Sequence, residues 1–273
     1  MKELNRVSLA FLLIDMFTKV PIIRAKIKCN GEVIPYTRKS NGYYVFVNIL
    51  DKEYDFEISC DGYYTINKKI KVGVNNPIQY TLLMQSCLGD VSLYSKNKVI
   101  FDVKKSGKPF ANQNVKLRLD TKVVFLKMIS PIQKGNNLVE INYDYNTNLL
   151  FQEYYYDKNP NFPVFFVGYD LDEKKYRIKE KSDVEVEKGG YLCPVWELKT
   201  DHNGRLLFPI NSFFISKETA NFTLIANSME SSVSINVSRN TEVVIELKNK
   251  FLNSIKDENN KKEESNKKEK DNI

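Results

Sequence analysis

From Arg6 to Met84 the chain is built of strand-length apolar pieces parted by turn residues, with no helical period, and this restricts the possible folds more than any other feature. Val7 to Ile14 (VSLAFLLI) is a continuous apolar run, shorter than the roughly 20 residues a membrane helix needs, and reads as a strand buried on both faces. Ala25, Ile27 and Cys29 alternate with Lys26 and Lys28, the period of a strand with one wet face. Val45, Val47 and Ile49 continue the pattern, and Tyr54, Phe56, Ile58 and Cys60 alternate with Glu53, Asp55, Glu57 and Ser59. Tyr64, Ile66, Ile70 and Val72 share a final phase against Asn67, Lys69 and Lys71. Asn30-Gly31, Asn41-Gly42 and Asp61-Gly62 supply the turns, where glycine enters backbone regions closed to other residues. Short alternating strands bury their apolar faces by laying one sheet on another, so the expected module is a β-sandwich.

The order of these pieces resembles the carboxypeptidase regulatory-like and transthyretin-like β-sandwich modules. Lys19-Val20-Pro21-Ile22 stands where those families have a G-x-P-I type turn. Lys39-Ser40-Asn41-Gly42-Tyr43 stands at their t-d-x-x-G-x-Y turn, and Tyr54 with Asp61-Gly62-Tyr63 at their later Y…G-Y strand. Val20 departs from the small residue usual there. The resemblance covers about the first third of the chain and implies a fold, with a supporting or binding role rather than a reaction.

The periodicity weakens between Met84 and Val99 and then restarts. Val99 to Val103 is a strand, Ser106-Gly107-Lys108-Pro109 a turn, and Val115, Leu117 and Leu119 alternate with Lys116, Arg118 and Asp120. The matching later pieces come after a long interval: Leu198-Lys199-Thr200-Asp201-His202-Asn203-Gly204-Arg205, then strands through Phe222 to Ala226, Val233 to Val237 and Val243 to Leu247. This order resembles bacterial immunoglobulin-like modules of the invasin type, with Thr200, Asp201 and Gly204 on their T-D-x-x-G turn.

The expected fold is therefore all-β: two immunoglobulin-like or prealbumin-like β-sandwiches in tandem, over 1–86 and 95–249. The second carries an insertion at about 121–195, and 250–273 forms a disordered charged tail. From Lys256 to Ile273 six lysines face six carboxylates with no apolar face, a composition that cannot bury enough surface to order itself. The formal charge of +7 thus belongs to the rest of the chain. A neutral tail gives no excess of cations to hold phosphates, so no nucleic-acid partner is expected. No membrane span is expected either.

The insertion is dense in aromatics. Tyr154, Tyr155, Tyr156, Phe162, Phe165, Tyr169 and Trp196 are the candidate binding residues, because Tyr and Trp offer large contact area with a polar handle. The alternative is that they build a small core of their own. Phe162-Pro163 and Asn159-Pro160 exclude a helix there.

Chemistry is sparse. His202 is the one histidine, and it lies inside a turn whose Asp, Asn and Gly have structural work. No GxSxG, HExxH or glycine-rich phosphate loop occurs. Asp170-Leu171-Asp172-Glu173 lacks the distant carboxylate that would complete a calcium loop. Cys29, Cys60, Cys87 and Cys193 have no metal-ligand spacing, and Cys29 with Cys60 reads either as two core residues or as a disulfide. The expectation is a protein that is not an enzyme and holds no metal or cofactor: a structural or protein-interaction component of a larger assembly, phage-tail-like or at a surface. The alternative is a carbohydrate-binding or adhesin-like module that stacks sugars on Trp196 and the tyrosines, and third stands a weak hydrolase or enzyme accessory. With no signal peptide visible, the cytoplasm is the default compartment.

Overall fold

The computed structural model describes residues 6–73, 77–87, 97–123, 126–183, 185–210, 214–215 and 218–249. The expected tail, 250–273, and most of the expected junction between the modules lie outside the described residues. The fold is all-β, with no α-helix among the described residues. It divides into two compact units, Met1–Lys96 with Asn146–Phe151, and Asn97–Tyr145 with Gln152–Ile273.

In the first unit, β1 (Val7–Asp15), β4 (Thr37–Arg38), β5 (Tyr43–Val47) and β8 (Ile78–Met84) form one sheet in the order β4-β5-β1-β8. The second sheet is β3 (Glu32–Val33), β2 (Lys26–Cys29), β6 (Lys52–Ser59) and β7 (Ile66–Val72). The two face each other through Phe11, which meets Phe46 and Phe56 edge-on at 5.7 and 5.1 Å, with Leu9, Leu13, Ile27, Ile58, Ile70 and Met84 around them. Tyr44 is fully buried because its hydroxyl is satisfied: it accepts from the Ala25 N–H and donates to the Ile22 carbonyl. β1 is buried along both faces after Val7, as its unbroken apolar run requires, and the Gln79 amide donating to the Tyr43 hydroxyl spans the strand's outer face. All four cysteines are free thiols, so Cys29 and Cys60 are not bonded.

The second unit repeats this plan. β9 (Lys98–Lys105) lies between β17 (Arg205–Pro209), antiparallel, and β20 (Thr241–Glu246), parallel, as β1 lies between β5 and β8. The short β10 (Lys108–Pro109) folds back on β9.

The facing sheet has nine strands in the order β12-β15-β14-β13-β16-β11-β18-β19-β21. These are β11 (Asn114–Leu119), β12 (Leu138–Val139), β13 (Gln152–Tyr156), β14 (Asn159–Asp170), β15 (Lys175–Ile178), β16 (Leu192–Lys199), β18 (Thr219–Ala226), β19 (Met229–Asn236) and β21 (Lys248–Asn249). Phe101 and Phe208 meet Phe222 across the sandwich at 5.9 and 5.6 Å, and Trp196 packs edge-on to Phe208 at 4.8 Å.

The expected insertion is thus no lobe hung on a sandwich. It adds β12 to β15 to one sheet and widens it. The inner face of the added strands is covered by chain of little regular structure, in which 128–137 runs antiparallel to 182–183 and 185–190 through paired hydrogen bonds such as Ile132 with Val186.

Candidate functional site

The alternation of β13 decides where its three consecutive tyrosines go. Tyr154 and Tyr156 face inward and are essentially inaccessible, while Tyr155 faces outward and is partly exposed. The Tyr154 ring lies 4.9 Å from Phe166, which stacks on Tyr176 at 4.8 Å. Burial drives the Tyr154 phenol well above its ordinary pKa, with Tyr176 adding to the shift. Tyr156 donates to the Glu187 carbonyl and accepts from the Gly190 N–H. Gly190 is required there, since a Cβ would stand 2.4 Å from the Tyr156 ring.

Of the seven aromatics expected to bind, four therefore belong to the interior: Tyr154, Tyr156, Phe162 and Trp196. Trp196 is wedged between Phe208 and Phe214 and offers no ring face for a sugar. Tyr155 and Phe165 remain half-buried on the outer face of the nine-stranded sheet. Tyr169 pairs with the buried Tyr176, so it lies on the opposite, inner face, at its margin, with its ring 5.3 Å from Tyr145. The seven do not form one platform. A period-two reading of 152–156 separates Tyr155 from its neighbours; the burial of Trp196 has no such local signal.

What the outer face does assemble is a cross-strand row. Phe165, Glu153, Val195, Arg118, Thr223 and Ser232 follow one another across six adjacent strands. At the strand spacing of ~4.8 Å, such a row is about 24 Å wide. Lys116 donates to Glu153 at 2.8 Å and to the Tyr155 hydroxyl at 3.3 Å, with its ammonium 5.5 Å from the Tyr155 ring centre. Burial alone would lower the Lys116 pKa, but the Glu153 carboxylate and the Tyr155 hydroxyl outweigh it and hold the amine charged. Arg118 pairs with Asp120 at 2.5 Å, and Asp120 accepts from the Thr223 hydroxyl, which also meets Ser232. Cys193, in the next row between Tyr155 and β11, has its thiol pushed up to about 11 by burial and by the nearby Asp120 and Asp157. It is an inert thiol rather than a nucleophile.

The turn residues are fully occupied. Asp201 accepts from the N–H groups of Asn203 and Arg205, and Thr200 donates to the Phe110 carbonyl at 2.6 Å, while His202 is exposed. Asp170 accepts from the N–H groups of Asp172 and Glu173 and pairs with Arg177 at 2.7 Å. Among the described residues no cluster of three or more His, Cys, Asp or Glu could hold a metal, and no helix is long and apolar enough to cross a membrane.

Sequence reasoning passes over one polar cluster in the first unit. Asp15 is 2% exposed and gathers the N–H groups of Phe17 and Thr18, the Thr18 hydroxyl and, at 2.9 Å, the Tyr63 hydroxyl. Beside it the amine of Lys19 donates to the Phe151 carbonyl at 3.3 Å. Burial lowers the Lys19 pKa to about 7 against the opposing attraction of Asp15. An Asp followed three positions later by Thr at a strand end is the available signal for the turn; no local pattern signals the buried amine.

No family model matches the chain, and no curated protein matches it. Solved structures similar to it include the Bacillus anthracis TIE protein, at 12% identity over 89% of this chain, with a TM-score of 0.26. The Streptococcal ancillary pilin matches at 10% identity over 92% of this chain with a TM-score of 0.26. GBS52, the minor pilin of Streptococcus agalactiae, matches at 11% identity over 89% of this chain and 96% of its own, with a TM-score of 0.23. The chain spans 51% of the first of these and 64% of the second. Likeness at such TM-scores carries no weight for function, which has to come from the residues.

Proposed function

We propose that this is a non-enzymatic, structural protein that joins other proteins in an assembly through the outer face of its nine-stranded sheet. The observation that carries the reading is the row from Phe165 to Ser232. It is wide, is built on regular strands rather than loops, and combines the half-buried Phe165, and Tyr155 beside it in the next row, with charges already paired to neighbours around the buried Val195 and Thr223. Half-exposed rings supply area that association can bury, and charges that already have partners leave no ion unpaired if they are covered, which suits a protein interface with an apolar centre and a polar rim. The resemblance of the first module to families that support or bind points the same way. A setting within a surface or phage-tail-like particle is part of this proposal. Sugar stacking is the poorer fit, because its central residue, Trp196, is in the core.

The test is capture from the source cells with a tag after Ile273, comparing the wild-type chain with a Tyr155→Ser, Phe165→Ser double variant of unchanged far-UV circular dichroism. A defined set of proteins retained by the first and lost by the second supports the reading. Identical sets from both would remove this face from consideration.

A further inference from the structure

Edge strands expose unpaired N–H and C=O groups, and proteins ordinarily blunt them with charge, proline or brevity. This protein does so nearly everywhere. The edge strand β7 carries Lys68, Lys69 and Lys71; β3, β4, β10, β12 and β21 are two residues each; β17 ends in Pro209; and β20 carries Glu242 and Glu246.

Two stretches lack such protection: 231–236 of β19, beyond the two residues that β21 covers, which is serine-rich and polar, and the apolar β8, Ile78–Met84 (IQYTLLM), which has seven residues with no charge, proline or glycine. β8 stands at the end of its sheet, and no described strand pairs with its outer side. The Met84 carbonyl accepts from Met16 N–H, on the β1 side. Direction alternates along a strand, so Gln79, Thr81 and Leu83 present their N–H and C=O groups to the open side.

We propose that β8 is a β-augmentation site, completed by an extended segment of another protein in which acidic residues alternate with apolar ones. Backbone pairing supplies the affinity in this mode, and alternate side chains supply the selectivity. On one face the incoming strand continues the surface of Thr81 and Leu83, which suits apolar β-branched residues. On the other it lies beside Tyr80, whose ring has the Lys68 ammonium at 4.9 Å; Lys69 and Lys71 alternate to the far face of β7, where Lys69 meets Glu53 and Asp55, so Lys68 is the cation offered here. Acidic side chains complement that face. A second copy of β8 brings no acid and sets its own Lys68 against the first, so self-pairing is the poorer fit.

The experiment uses the full chain and a fluorescent peptide of about eight residues that alternates valine with glutamate, followed by anisotropy. Saturable binding is expected, at least about tenfold tighter than for the matching valine–lysine peptide. Lys68→Gln should narrow that preference. Thr81→Pro removes an edge N–H that β1 does not use, a position where a strand tolerates proline, and should abolish binding with unchanged circular dichroism. Should that variant fail to fold, Leu83→Lys keeps every backbone group, places a charge on the edge and should weaken binding by the same order. Binding unaffected by both substitutions, or no saturable binding up to about 1 mM, would overturn the proposal. So would light scattering that shows a wild-type dimer lost in Thr81→Pro, which would assign the edge to a second copy.

Discussion

The two units solve one packing problem at the same place with different residues. In each, a turn before the middle strand is pressed against the proline bend that follows the first strand. In the first unit Gly42, at φ +85°, lies so close to Pro21 that a Cβ would stand 2.6 Å from its Cβ, and the Gly42 carbonyl accepts from Leu13 N–H. In the second, Gly204, at φ +76°, leaves a Cβ only 2.8 Å from the Val103 carbonyl oxygen, and its own carbonyl accepts from Val103 N–H. Ile22 N–H returns to Leu13 and Phe110 N–H to Val103 in the same way.

The difference lies in what braces the turn. The second unit uses the fully buried Thr200 and the carboxylate of Asp201, whereas the first has Arg38 reaching over the surface to the Ile23 carbonyl. The glycine and proline are fixed by backbone geometry. The brace is free to vary, because any donor that reaches the bend will serve.

The likeness of the two units is most open to challenge in their cores. Phe11→Ala and Phe101→Ala remove equivalent fully buried rings, and each should lower stability by about 3–5 kcal/mol in urea unfolding. A far smaller loss at one would deny that the two sandwiches are energetic repeats. Gly42→Ala and Gly204→Ala should each cost about 2–4 kcal/mol, adding overpacking to left-handed strain. Gly31→Ala has the same strain, but its Cβ meets nothing within 4 Å, so it should stop at about 1–2 kcal/mol.

The braces should separate the units. Thr200→Val leaves buried groups unsatisfied and should cost about 1–3 kcal/mol, while Arg38→Ala, on the surface, should stay within about 0.5 kcal/mol.

The Lys19 amine gives the smallest and most conditional effect. Its pKa in the folded protein, about 7, lies below its ordinary 10.5. Between those values the unfolded chain holds a proton that the folded one has shed, so folding gains stability as pH rises. Lys19→Met should therefore raise the melting temperature relative to wild type most at pH 7 and below. Its advantage should shrink as the pH approaches 10.5. A gap independent of pH would show that the amine stays charged in the folded state.

Much of the fold was legible in the chain because it is local. The alternation of Ala25 to Cys29 and Tyr54 to Cys60 marks strands, and Asn30-Gly31 closes β2 onto β3 with both residues at positive φ, as such a hairpin demands. The repeat of proline bend and glycine turn is visible as spacing. The candidate site was less legible. Seven aromatics in one stretch cannot reveal by composition which of them are buried under a second layer, and four are.

The all-β class, the double-sided burial of β1 and the structural character of the turn around His202 were written in the chain, since each follows from neighbours a few residues apart. Three outcomes waited on tertiary contact: 121–195 widens one sheet, Trp196 lies inside, and no described strand pairs with the outer side of β8. They depend on which strands meet, and strand pairing joins residues far apart along the chain, such as Arg118 with Val195, by backbone groups that every residue carries alike.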